Sequence, residues 1–117
     1  MLSSASGALA FAGIMERTER LRSDPGFLPE YRELFDFTGV TRSELSCAQI
    51  QDIVKRPLFA PSSRRAFLVA DDLGFGMGRV SSAYHELNGE KNVMVFRNRG
   101  KALRWLETGE KTARQDE

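Results

Sequence analysis

Ala66-Phe67-Leu68-Val69-Ala70 is a continuous apolar run held between Arg64-Arg65 and Asp71-Asp72. A run without polar alternation has no face to give to water, so it suits a strand covered on both sides, as in the middle of a parallel sheet. Both faces of such a sheet must be covered by helices, and the remaining sequence has to supply them.

Two further short runs read as strands. Val93-Met94-Val95-Phe96 is one, and Glu33-Leu34-Phe35-Asp36-Phe37 is the other, ending at Thr38-Gly39. Helical patterns fill the intervals. Phe11, Ile14, Met15, Thr18 and Leu21 recur every three or four residues, which predicts an amphipathic helix over 9–22 that stops at Ser23-Asp24-Pro25-Gly26. Ser46-Cys47-Ala48-Gln49 has the form of a capping box. It opens a helix over 46–56 with Ile50, Ile53 and Val54 on one face, which Pro57 ends. Asp71 or Asp72 caps a third helix that sets Leu73, Met77, Val80, Tyr84 and Leu87 along one face as far as Asn88-Gly89. Ala102, Leu103 and Leu106, with Trp105 beside them, form a closing helix before a polar tail.

Strands separated by helices imply right-handed crossovers in a parallel sheet. The expected fold is therefore α/β, a mainly parallel sheet of three to four strands flanked by four helices. It is a single domain over 1–117, with 1–8 and 108–117 frayed. Three strands leave the N-terminal sheet edge with unpaired backbone groups. Either residues 6–12 supply a short fourth strand or a second chain covers that edge, which makes a homodimer the expected assembly.

Composition removes several function classes. Seventeen Lys and Arg against sixteen Asp and Glu leave a net charge of +1, so no broad field draws in nucleic acid. One cysteine, Cys47, and one histidine, His85, cannot make an internal disulfide or a Cys- or His-based metal cluster, and no cofactor is implied. The apolar stretch Met1 to Ile14 has no basic residue ahead of it and falls short of the roughly 20 residues of a membrane span. A cytoplasmic protein without membrane insertion is expected.

Several segments together resemble a bacterial family. They are Asp24-Pro25-Gly26-Phe27, Leu34-Phe35-Asp36-Phe37-Thr38-Gly39-Val40-Thr41, Arg64 to Ala70, Val95-Phe96-Arg97 and Ala102-Leu103-Arg104-Trp105-Leu106. The family has the STAS-like (SpoIIAA-like) fold of anti-sigma-factor antagonists, and the resemblance covers about residues 9 to 107. It implies a β-α superhelix. The family opens with two strands ahead of its first helix, whereas here only Ala8 to Phe11 can stand in, so those strands are shortened or missing.

The same resemblance points to Ser46. Antagonists of this type carry an Asp-Ser-Ser-Gly segment whose Ser is phosphorylated by a partner kinase; Glu44-Leu45-Ser46-Cys47 matches its position, with Glu for Asp and Cys for Gly. Phosphate there would add about −1.5 to −2 charge to a surface formed with Glu44, Cys47 and Gln49. Capping alone also explains Ser46 and Gln49. Gly74-Phe75-Gly76-Met77-Gly78-Arg79 is weighed as a phosphate loop and reads better as small residues that let a helix approach the sheet, because Asp71 and Asp72 would repel an anion. His85 reads as a surface or boundary residue, Cys47 as a small buried hydrophobe, and Arg56, Arg64 and Arg65 as a solvated rim.

Two readings of function follow. One is a non-enzymatic regulatory module that binds a protein partner through the surface around Ser46. The other is a carrier of a small apolar ligand or lipid, with Phe59, Phe75 and Met77 lining a pocket between the 57–63 loop and the helix that starts near residue 73. No paired acid-base or nucleophilic constellation supports an enzyme.

Overall fold

The structure, a computed structural model, describes residues 1–109. Strands β1 (Leu2–Leu9), β2 (Glu33–Ser43), β3 (Arg65–Leu68) and β4 (Val93–Phe96) alternate with helices α1 (Phe11–Arg22), α2 (Cys47–Val54), α3 (Asp72–Leu87) and α4 (Arg99–Thr108). The sheet order is β1-β2-β3-β4 with every neighbour parallel. A sheet laid down in one direction by right-handed crossovers puts its three crossover helices on one face, and α4 is left for the other.

The core is accordingly split by the sheet. On the α4 side, Leu34, Ala66, Leu68, Met94 and Phe96 meet Ala102, Trp105 and Leu106 in the larger apolar cluster. On the crossover-helix side a smaller buried cluster joins Phe35, Phe67 and Val93, with Ala5 and Phe37 against it, and Val54, Phe59 and Val95 are buried as well. β3 and β4 are buried along their whole length, as the absence of alternation in these runs predicts, and only Ala70 at the end of the first run is exposed.

The N-terminal expectation is corrected. Residues 1–8 are not frayed, nor is the fourth strand confined to 6–12: Leu2–Leu9 is a strand of 8 residues paired with β2. Its Ser-rich sequence hid it because the strand is an edge, with Leu2, Ser4, Ser6 and Ala8 exposed and only the alternate residues half-buried. A single strand precedes α1, which begins at Phe11. The expected fray over 110–117 lies outside the described residues, and Thr108 still belongs to α4.

β2 also runs further than its sequence suggests. Gly39 is not a terminator: a Cβ there would stand 3.1 Å from Ser6 Cβ and 3.3 Å from the Ala5 carbonyl oxygen, so glycine permits the close approach of β1. The last β2–β3 pair is Asp36 with Leu68, and beyond it β2 pairs only with β1. A two-stranded ribbon therefore projects past the ends of β3 and β4.

The face of α3 that its apolar spacing marks is only partly turned inward: Met77, Val80 and Tyr84 are half-buried. Leu73 is 73% exposed and Leu87 is 85% exposed. The face turned to the sheet is made of small residues and His85. A Cβ on Gly78 would stand 2.9 Å from Val95 Cγ1, and Ser82 Oγ donates 2.6 Å to the Val93 carbonyl. Glycine lets the helix axis come close, so that the middle of the apolar stripe is only half-buried and its two ends, Leu73 and Leu87, are left exposed.

Candidate functional site

At the strand ends the projecting ribbon, the end of β3 and the start of α3 enclose an apolar cleft of about 140 Å³. Phe67 and Val69 form its floor, Phe37, Val40 and Leu9 its ribbon wall, and Met77 and Leu73 its helical wall. Loop ends at the C-terminal edge of a parallel sheet are where α/β folds place ligands and partners. Asp71 caps α3 at the rim, its side chain accepting from the Gly74 N–H at 2.7 Å. That cap occupies the Gly74 amide, and Gly78 serves helix packing.

A second cavity, of about 110 Å³, lies deeper on the same face and shares Phe37 and Phe67 with the cleft. Six ionisable side chains line it: the exposed Arg56 at its edge and, further in, Arg17, Glu33, Arg65, His85 and Glu90. Arg17 from α1 pairs with Glu33, which also accepts from Ser3 Oγ at 2.8 Å. Arg65 Nη2 donates to Glu90 Oε1 at 2.5 Å, and His85 Nδ1 is 3.1 Å from Glu90 Oε2. A carboxylate oxygen can only accept, so the Nδ1 proton belongs on this bond. Aromatic rings back the cations, with the Arg17 guanidinium 4.4 Å from the Phe35 ring centre and that of Arg65 4.7 Å from Phe59.

These environments move the titrations. Burial lowers the Arg65 guanidinium, against the attraction of Glu90 and Glu33. Burial pushes the Glu90 carboxyl up, but the His85 hydrogen bond and the Arg65 charge outweigh it, and Glu90 titrates below the ordinary carboxylate range. On the rim, Thr38 holds Asp36 low by donating from both its hydroxyl, at 2.6 Å, and its backbone N–H, at 2.8 Å.

The surface around Ser46 is a separate feature of the same end of the molecule. Ser46 is exposed and forms a complete capping box: Gln49 N–H donates to Ser46 Oγ at 3.1 Å, and Ser46 N–H donates to Gln49 Oε1 at 3.0 Å. Glu44 is exposed in an ion pair with Arg42 at 2.9 Å, Gln49 is half-buried, and Cys47 is exposed, which corrects the expectation of a buried thiol. Ser46 follows by three residues Ser43, which lines the cleft.

The three residues proposed to share one pocket are not brought together. Met77 lines the cleft, Phe59 is buried against the deeper cavity, and Phe75 packs between Arg79 and Arg97, whose guanidinium carbons lie 5.7 and 4.6 Å from its ring centre. The pocket expected between the 57–63 loop and α3 is thereby split in two by the aromatic floor.

Other residues moved the opposite way. His85 is 6% exposed, not a boundary residue, and Arg65 is 8% exposed, not part of a solvated rim. Arg56 is exposed, and Arg64 reaches the end of α4 by donating to the Leu106 carbonyl at 2.9 Å. Sequence reasoning missed the deep polar cluster because its members come from five elements or loops. The one available signal was the charge at the start of two strand segments, at Glu33 and Arg65. Among the described residues no group of three or more His, Cys, Asp or Glu could hold a metal ion, and no helix is long and apolar enough to cross a membrane.

No family model and no curated protein sequence matches this chain. Among solved structures it is similar to an uncharacterised protein of the DUF3478 family with a SpoIIAA-like fold from Shewanella loihica PV-4. The TM-score is 0.60 and the identity 21%, over 88% of this chain and 80% of that one. The likeness defines the class of fold: this is a STAS-like, SpoIIAA-like α/β domain, as the segment resemblances imply.

Proposed function

We propose that this domain is a non-enzymatic regulatory module that binds a protein partner through the rim at the C-terminal ends of its strands. The observation that carries the reading is Leu73, 73% exposed at the mouth of an apolar cleft. An exposed leucine beside a recess suits a partner that inserts an apolar anchor and covers the leucine in doing so. The stretch of β2 beyond its last pair with β3 offers backbone groups at the same rim. Ser46 supplies the regulation: phosphate at this exposed helix start would change the charge beside the cleft while remaining compatible with the helix dipole.

Size weighs against the lipid carrier. The cleft of about 140 Å³ and the cavity of about 110 Å³ both fall below the roughly 300–1,000 Å³ of ligand pockets. A larger groove of about 500 Å³ between β1 and α1 is open, and Ser3, Ser4, Ser6, Arg17 and Arg20 share its walls with apolar residues. Such walls suit water better than an acyl chain.

The test is comparative capture from the source organism with Leu73→Asp and, as control, Leu87→Asp, which changes an equally exposed leucine on the same helix. Loss of a stoichiometric partner with Leu73→Asp alone supports the reading, and equal retention by both variants overturns it. Self-association is a second reading, favoured by the free outer edge of β1. Two such edges related by a two-fold axis would continue the sheet.

A further inference from the structure

The deep cavity holds a group that none of the contacts around it satisfies. Among the described residues, Arg65 Nε is a buried side-chain nitrogen without a hydrogen-bond partner. Arg65 is 8% exposed, and its Nη2 is already engaged by Glu90 at 2.5 Å. An unmatched buried donor on a cation costs more than an ordinary lost hydrogen bond, so a fold that retains one beside a cavity has an acceptor to meet there.

From this geometry we infer that the cavity of about 110 Å³ binds a small, uncharged, mostly apolar molecule whose single carbonyl oxygen accepts the Arg65 Nε–H. Three features set that chemistry. Charge is balanced before any ligand arrives, because Arg17 faces Glu33, Arg65 faces Glu90 and Arg56 at the edge is paired with Asp52; an added carboxylate would be a fourth anion among three cations. The remaining walls are mostly apolar, with Phe59 under the guanidinium and Ile53, Val54, Phe35 and Phe67 around it, and Thr18 and Ser81 as the polar exceptions. The volume suits about six non-hydrogen atoms, since an apolar cavity of about 150 Å³ holds benzene. Exposed Arg56 and Pro57 stand at the edge of the cavity and give it a way in from solvent.

This site is independent of the proposed partner surface, although the shared Phe37 and Phe67 would let an occupant of the cavity adjust the cleft floor. The test is a titration of the full chain with cyclopentanone, followed through the Arg65 Nε–Hε resonance in a ¹⁵N NMR spectrum. Methylenecyclopentane, of the same shape but without the acceptor oxygen, is the control.

A saturable downfield shift of Arg65 Hε is expected with cyclopentanone, with binding at least about tenfold tighter than that of methylenecyclopentane. An unmoved Arg65 resonance, or equal binding of the two probes, overturns the inference. Arg65→Lys keeps the cation and removes the Nε–H, so it should bring the two affinities together. If that variant does not fold, as a thermal melt will report, the ratio measured on the natural chain decides alone.

Discussion

Ser46 has one structural task that can be measured apart from any regulation. Its hydroxyl accepts from Gln49 N–H, and Ser46→Ala removes that bond along with half of the capping box. The expected cost is about 1 kcal/mol, which lowers the melting temperature by roughly 4 °C in a domain of this size. Ser46→Asp should melt like the natural protein, because aspartate caps equally well. A calorimetric scan of both variants separates the cap from any effect on binding. At Glu90 the sign of the pH dependence is set by its depressed pKa. The unfolded chain binds a proton there at higher pH than the folded one does. The contribution of Glu90 is therefore fully present above the unfolded value of about 4.3 and is lost as pH falls through the lower folded value. Glu90→Gln should flatten the acid limb of the stability curve measured by urea unfolding between about pH 5 and pH 2. It should also cost roughly 3–5 kcal/mol at neutral pH, because it leaves Arg65 buried without its anion.

At the scale of elements, the contact of α3 with the sheet depends on one glycine more than on its leucines. Gly78→Ala drives a methyl into Val95 at 2.9 Å, whereas Gly76→Ala meets nothing within 4 Å. The first should lower stability by about 1–3 kcal/mol, and the second should raise it by up to about 1 kcal/mol through helix propensity. Thermal melts of the pair decide this, and matched effects would contradict the packing described. The same helix explains what was legible in the sequence and what was not. Continuous apolar runs such as Ala66 to Leu68 and Val93 to Phe96 announced β3 and β4, because burial on both faces leaves a local mark. The box at Ser46 and Gln49 announced α2 because both of its bonds are local. By contrast, the apolar stripe of α3 was misleading at its ends, Leu73 and Leu87, since hydrophobicity does not report that Gly78 can approach a strand more closely than leucine. β1 was legible only in part, as a short fourth strand over 6–12, for a related reason. An edge strand of serines carries little hydrophobic pattern and is defined by its partner, β2. The deep cluster of Arg17, Glu33, Arg65, His85 and Glu90 is assembled from positions far apart along the chain, which no spacing rule records.

The whole molecule is a sheet with unequal cover. Its α4 face holds the larger apolar core, while the crossover-helix face holds a small aromatic cluster, two cavities and buried ion pairs. Stability should come chiefly from the first face and recognition from the second. The β1 edge gives a prediction at this scale. If two molecules join there, sedimentation velocity should show a dimer for the natural chain and a monomer for Ser4→Lys with Ser6→Lys, whose like charges would meet across the two-fold axis. A natural chain that sediments as a monomer at high concentration would remove that reading and leave the rim untouched. The rim itself is tested most directly by photo-cross-linking in the cells that make the protein, with a photoreactive residue placed at 73 or, separately, at 87. The account predicts a discrete adduct with a different protein from position 73 and none from position 87. No adduct at 73, or the same adducts from both positions, would contradict it.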